Sequence, residues 1–400
     1  MKRYLLISAL LIMTVWLPGG RPAAAQLDPL LEGPIIATTP AEQDRILLHD
    51  LATGITRTLE FGYGEHHVWD FSPDGCRILF TVDSSDNRLP TLYSARLDGS
   101  DQLPMVRYDE LPPENWGVWE PDWSPDGLIA FTMIRDEPLN DGSRRREHYI
   151  AYTPGFAQSE TRFYSVTGRE FTPQWSPDGS WLAYVSYDLR VPGADVFSTA
   201  VPTPSPVPGE ERIEETLLDE ADIWIVSADG EVKYRLTNFS TGDVRSPRWS
   251  PDGELISFIY SPSPNNDTFW MIANSPGAIP TQLSFQWNLT LDHTWLPDGS
   301  AIVASVRDFQ QVRENRLWQI PLVGNADTDA QLLLNDPAFL HTDFPRFSPD
   351  ARYLALRNAY ALAVIDQEAG AVRRFDETAP GNTPPVWSPA RFQGEVNCAR

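Results

Sequence analysis

Short apolar runs punctuate the chain, and they come in two kinds. Arg77–Thr81, Leu128–Thr132, Trp181–Val185, Glu254–Ile259, Ala301–Ser305 and Tyr353–Leu356 are almost continuously apolar and rich in β-branched and aromatic residues. Their length suits strands packed on both faces rather than helices. A second set alternates apolar with polar positions, as in Thr91–Arg96, Asp222–Val226, Thr268–Ile272, Arg316–Ile320 and Ala361–Ile365. Strict alternation predicts strands with one drier face. Several of these runs end in a turn, such as Leu97-Asp98-Gly99 or Ala228-Asp229-Gly230, before a fourth short segment such as Lys233–Thr237.

One hairpin signal precedes each run of the first kind. Phe71, Trp123, Trp175 and Trp249 are each followed by Ser-Pro-Asp-Gly, Trp295 by Leu-Pro-Asp-Gly, Phe347 by Ser-Pro-Asp-Ala, and Trp387 by Ser-Pro. Proline presets φ and Asp-Gly supplies the positive-φ geometry of a tight reversal, so each copy predicts an aromatic anchor, a turn and a strand. The aromatics are 52, 52, 74, 46, 52 and 40 residues apart, around the roughly 40–50 of a propeller blade and above the 20–34 of helical and leucine-rich repeats. The expected fold is all-β: a propeller of four-stranded antiparallel blades. Ala351 in place of glycine predicts a different turn in the sixth copy.

The repeat resembles that of TolB-type propellers, which also occurs in the propeller domains of prolyl oligopeptidase-like proteins. The resemblance spans roughly residues 45–392. It implies a rigid binding scaffold, and it carries fold more than function because the motif residues are turn and core residues.

Arg45–Leu59 reads as the second half of a blade, and Val386–Pro389 with Arg391–Val396 as the first half. Paired, they give a composite blade that covers two open edges, for seven blades in all; six is the count if the C-terminal half stays unpaired. Cys76 and Cys398, the two cysteines of the chain, then fall beside each other at the closure. A disulfide is expected there, with two free or buried thiols as the alternative.

The ends and the charge bound the setting. Lys2 and Arg3, an apolar run from Tyr4 to Leu17 and Ala23–Ala25 have the order of a secretory signal peptide, so residues 1–25 are read as a leader, 26–44 as an N-terminal extension and 45–400 as one propeller. A Pro-rich acidic insertion is expected near 191–219. Without Lys2, Arg3 and Arg21, 28 basic residues face 55 acidic ones, a net charge of −27. That excludes nucleic acid as a partner class and suits a soluble monomer outside the cytoplasm.

No Gly-x-Ser-x-Gly elbow, His-Glu-x-x-His, paired Cys-x-x-Cys or EF-hand loop occurs, so neither a serine hydrolase nor a cofactor or metal site is expected. In a propeller the first strand of each blade lines the central channel. The residues ahead of the motifs give a candidate binding ring at the channel mouth: His67, Trp119, Glu120, Glu170, Arg245, His293 and Asp343. The leading reading is a scaffold that binds a protein or peptide. The alternative is a carbohydrate-active enzyme with Glu120 and Glu170 as acid and base, and a third reading is a purely structural envelope protein with a broad apolar patch.

Overall fold

The structure is a computed structural model. It describes residues 29–83, 89–109, 115–140, 144–165, 167–190, 218–263, 266–284, 289–307, 315–334, 339–358, 361–375 and 383–398. The insertion expected near 191–219, as far as residue 217, and the leader at 1–25 lie outside them.

Seven four-stranded antiparallel sheets stand around a ring. Their first strands are Glu65–Phe71, Trp116–Trp123, Glu170–Trp175, Asp243–Trp249, Leu289–Trp295, Thr342–Phe347 and Val386–Trp387, which number blades one to seven. Consecutive first strands touch all the way round, and the seventh closes on the first. The apolar second strands are fully buried between sheets: Ile78, Phe80, Phe131, Tyr184, Phe258 and Leu354 have no accessible surface.

The Ser-Pro-Asp-Gly turn holds itself together. In blade three, Ser176 Oγ donates to Asp178 Oδ1 at 2.6 Å and accepts Trp181 N at 3.0 Å, while Asp178 Oδ1 accepts Ser180 N at 3.0 Å. Ser72, Ser250 and Ser348 repeat the pattern. In blade six the turn does not change type: Ala351 takes φ +65°, and its N–H reaches Ser348 O at 2.9 Å as the glycines do elsewhere. The serine and aspartate bonds hold the turn shape and push the alanine into the left-handed region.

The composite blade forms, with a different division from the one the sequence suggests. Val386–Trp387 pairs with Ile35–Thr38, followed by Ile46–Asp50 and Thr56–Leu59. The N-terminal side gives three strands, so the sheet takes in residues expected in the extension. Arg391–Val396 is not a strand; a short helix at Glu395–Cys398 ends the described chain. Its backbone bonds go to the first strand's approach, with Glu395 N donating to Leu31 O at 2.8 Å. Cys76 and Cys398 are joined as a disulfide. Glu395 forms a two-pronged ion pair with Arg57 at 2.8 and 3.1 Å.

Candidate functional site: the channel and its mouth

Each of the first six inner strands carries one extra residue relative to its neighbour, a β-bulge just ahead of the motif aromatic. In four of them the bulge contains a residue in the left-handed region followed by proline: Glu120, Thr172, Ser246 and Phe344, with φ between +49° and +57°. A bulge redirects side chains. Here it turns the residue immediately before the aromatic toward the next blade and the channel wall.

In five of the six blades those residues, Asp70, Asp122, Gln174, Arg248 and Arg346, stitch the ring in two ways; blade five has Thr294 at this place. In the later blades the backbone serves: Trp249, Trp295 and Trp387 donate their indole N–H to the carbonyls of Gln174, Arg248 and Arg346 at 2.9, 3.1 and 2.9 Å. In the early blades the side chain serves. Asp70 Oδ2 accepts Trp123 N at 2.9 Å and Asp122 Oδ2 accepts Trp175 N at 2.6 Å, while the indole nitrogens of Trp123 and Trp175 are buried without a partner.

The wall is charged unevenly. Arg248 donates to Gln174 Oε1 at 2.9 Å and faces Asp292 at 3.5 Å, and Arg346 pairs with Asp292 at 2.8 Å. Asp292, between two guanidiniums, stays below the usual carboxylate range although burial opposes this. Asp70 meets no such cation: burial first, then the Asp122 charge, push it up to about 8 against the two backbone N–H groups it accepts. Asp122 is raised to about 6 by burial, opposed by Trp175 N–H and by Arg248. Burial likewise raises Glu120, against the Thr172 N–H and the Arg248 charge.

The expected ring divides when placed in this frame. His67 and Trp119 sit together, and Glu120, next in sequence to Trp119, reaches to blade three. Glu170 does not join them: it is fully buried, and its carboxylate closes its own turn, accepting Ser165 Oγ at 2.5 Å, Thr167 N and Gly168 N at 3.1 Å each, and Thr167 Oγ1. Glu120 reaches instead to Thr172 N at 3.1 Å, so the two glutamates form no acid–base pair. His293 is buried between blades four and five, bonded through Nε2 to Ser257 Oγ at 2.8 Å and packed edge-on to Phe269; burial lowers it to about 3. Asp343 bridges blades five and six through Asn315 and Arg357, both at 2.8 Å. Arg245 is held by Asp267 and by Ser261.

Blades one and two share an aromatic cluster. Trp69 and Trp119 meet edge to face at 5.0 Å, and His67 packs edge-on to Trp119 at 5.2 Å. Both tryptophans are half-buried, and the Trp69 indole donates to Thr81 Oγ1 at 2.9 Å. On blade three Phe171 is flanked by His148 at 4.5 Å and Tyr187 at 5.7 Å. Trp69, Asp70, Asp122 and Arg248 escaped the sequence reading. For Asp70, Asp122 and Arg248 the signal was a polar residue directly before the motif aromatic; Trp69, two residues before Phe71, had none. Among the described residues, no three of His, Cys, Asp or Glu converge to hold a metal ion.

No protein-family model matches the chain. A Tol-Pal system protein TolB of Desulfosudis oleivorans is 33% identical over 116 residues, 25% of this chain and 25% of that protein. A TolB homolog of Chlorobium luteolum is 31% identical over 132 residues, 30% of this chain and 29% of that protein. The chain thus spans well under half the length of these curated relatives. Among solved structures, an oligogalacturonate lyase from Vibrio parahaemolyticus aligns over 84% of this chain and 92% of its own, at TM-score 0.54 and 14% identity. A prolyl endopeptidase aligns over 86% and 50%, at TM-score 0.54 and 11% identity. At such identities these likenesses are likenesses of fold. The chain is a seven-bladed β-propeller whose repeat is similar, over part of its length, to that of TolB proteins.

Proposed function

We propose that the chain is a non-catalytic binding scaffold of the cell envelope, and that the mouth of its channel on the side of blades one to three receives an extended segment of a protein partner. The partly exposed Trp69–Trp119 pair beside His67 carries this reading. Tryptophans are costly to leave in water and are enriched where a partner covers them. Around them Glu170, Arg245, His293 and Asp343 are bonded within the ring, which makes the mouth rigid and leaves these groups committed. The leader read at residues 1–25 and the TolB relatives support an extracytoplasmic setting. An envelope extract passed over immobilised protein tests it: wild type is expected to retain a specific protein that Trp119→Ala retains at least about fivefold less, the size of a lost anchor. Equal retention by both, or none, overturns the reading.

A second reading has one observation in its favour. Asp70 and Asp122 form a buried carboxyl pair on the channel wall with raised and separated proton affinities, and a lyase of oligogalacturonate shares the fold. Both carboxyls already accept backbone N–H bonds across blades, which assigns them to the seam. Release of an unsaturated uronide from oligogalacturonate, seen as new ultraviolet absorbance and lost in Asp122→Asn, would reverse that assignment.

A further inference from the structure

We propose that Phe392–Cys398 is a strap seated in a docking slot between blades seven and one, and that the Cys76–Cys398 disulfide is its thiol-operated latch. Reduction by a dithiol turns a permanent closure into an equilibrium between seated and free strap, and so uncovers the slot.

The chain leaves the ring ahead of the strap. In the other blades the motif turn leads into the second strand of its own sheet, whereas in blade seven that place is held by Ile35–Thr38. Residues after Ser388 therefore have no strand to continue into. Closure itself lies upstream of them. Ser388 N donates to Ile35 O at 2.9 Å, Ile35 N to Ser388 Oγ at 3.0 Å and the Trp387 indole to Arg346 O at 2.9 Å. A freed strap leaves these bonds in place, on a weaker edge.

The slot fits one aromatic ring and one carboxylate. A methyl group on Gly33 would lie 2.8 Å from Phe392 Cδ1, and one on Gly75 2.7 Å from Phe392 Cβ, so neither wall has room for a side chain. The ring packs on a core that includes Leu31 and Leu97. Three residues on, Glu395 meets Arg57 Nη1 and Nη2 at 2.8 and 3.1 Å and accepts Leu31 N at 3.0 Å, while its own N–H returns to Leu31 O. Arg57 also donates to Leu97 O at 2.9 Å, which holds the guanidinium in place. These are the contacts of a bound Phe-x-x-Glu peptide, supplied here by the chain itself.

The latch is within reach of a reductant. Cys76 and Cys398 are the two cysteines of the chain, and both are partly exposed. Attack of a reductant thiolate on Cys76 Sγ breaks the S–S bond and expels Cys398 as a thiolate, which takes a proton. The second reductant thiolate then closes on the first sulfur and releases Cys76 as a thiol. Two electrons and two protons reach the chain, and the dithiol ends as a disulfide. Arg96 donates to Cys398 O at 2.7 Å, and a guanidinium at that residue favours the departing thiolate. Without the covalent link the strap rests on its Phe392, Glu395 and Cys398 O contacts, which a segment of the same chemistry can replace.

Hydrogen exchange of the full chain, oxidised and in dithiothreitol, tests the latch, with thiol titration to follow reduction. The Glu395 and Asn397 amides, bonded to Leu31 O and Gly394 O, are expected to be protected in the oxidised chain. On reduction they should exchange about tenfold faster or more, while the second strands of blades two to five keep their protection. Cys76→Ser combined with Cys398→Ser should behave like the reduced chain without any reductant. In that background Phe392→Ala with Glu395→Gln vacates the slot. The vacated slot is expected to bind a fluorescein-labelled peptide of residues 389–398 carrying Cys398→Ser, saturably, and not the same peptide with Phe392→Ala and Glu395→Gln. A disulfide that resists dithiothreitol in the folded chain, or amides as protected after reduction as before, overturns the latch. Simultaneous loss of protection in every blade makes the disulfide a clamp on the whole ring and overturns the strap. Equal binding of the two peptides, or of neither, overturns the slot.

Discussion

Ala351 shows how a single residue can be forced by its neighbours. Sequence reading expects alanine after Pro-Asp to select another turn. The Ser348 and Asp350 hydrogen bonds instead impose the shared turn, and Ala351 sits at φ +65°. A left-handed alanine costs about 1–2 kcal/mol, and glycine gives back about 0.5–1 kcal/mol through the greater freedom of its unfolded chain. Ala351→Gly should therefore stabilise the protein by roughly 0.5–1 kcal/mol, seen as a higher denaturant midpoint at unchanged slope. A lower midpoint would mean that the turn relaxes around alanine at no cost. Glu170 illustrates the converse. Its residue type and position suit a channel acid, and only the placement of Ser165, Thr167 and Gly168 shows that its oxygens are taken.

Inner strands were legible as strands but not in register. The aromatic motif fixes the end of each one, whereas the bulge ahead of it adds a residue, and every residue upstream of a bulge changes face. His67, Glu170 and Arg245 lie upstream of their bulges, whereas Asp122 and His293 lie between bulge and aromatic. The two forms of seam also have a consequence for pH. Asp70 is raised to about 8 and Asp122 to about 6 from an ordinary 3.8. The folded state therefore holds protons that the unfolded chain releases near pH 4. A carboxyl with a raised folded value contributes most below its unfolded value, and stability then declines as pH rises toward the folded value. Between pH 6 and 8 the Asp70 contribution has a limiting slope of about −1.4 kcal/mol per pH unit. The histidines lowered by burial, His49, His66, His67, His148 and His293, act in the opposite direction and have flattened above about pH 7. Asp70→Asn should abolish the decline between pH 7 and 8 and leave the variant more stable than wild type at pH 8. Parallel stability curves for the two proteins would assign the slope elsewhere.

At the scale of the whole molecule, counting half-units in the sequence located the closure, because a repeat that starts and stops mid-blade must pair its own ends. What counting could not supply was the division, three strands to one, since Ile35–Thr38 carries no motif and is recognisable as a strand only by its partner. With two residues of Val386–Trp387 in the ladder, the strand pairing is short, and other bonds hold the end of the chain. Arg57 and Glu395, 7% and 13% exposed, form a largely buried ion pair that also ties Leu97 O and Leu31 N, and the disulfide links residues 322 apart. Losing one partner of such a pair costs about 3–5 kcal/mol, and opening a disulfide that closes so long a loop about 2–5 kcal/mol. Both clamps hold one edge, so their losses should couple. Once Glu395→Gln frees the terminal helix, removing the disulfide with Cys76→Ser and Cys398→Ser has less order left to lose, and the combined loss should fall short of the sum by more than about 0.5 kcal/mol. The measurement is a double-mutant cycle on denaturant stability, with hydrogen exchange of the Ile35–Thr38 amides as the local readout. Strict additivity, with those amides as protected as wild type, would show that the two-residue ladder closes the ring by itself and that the clamps act elsewhere.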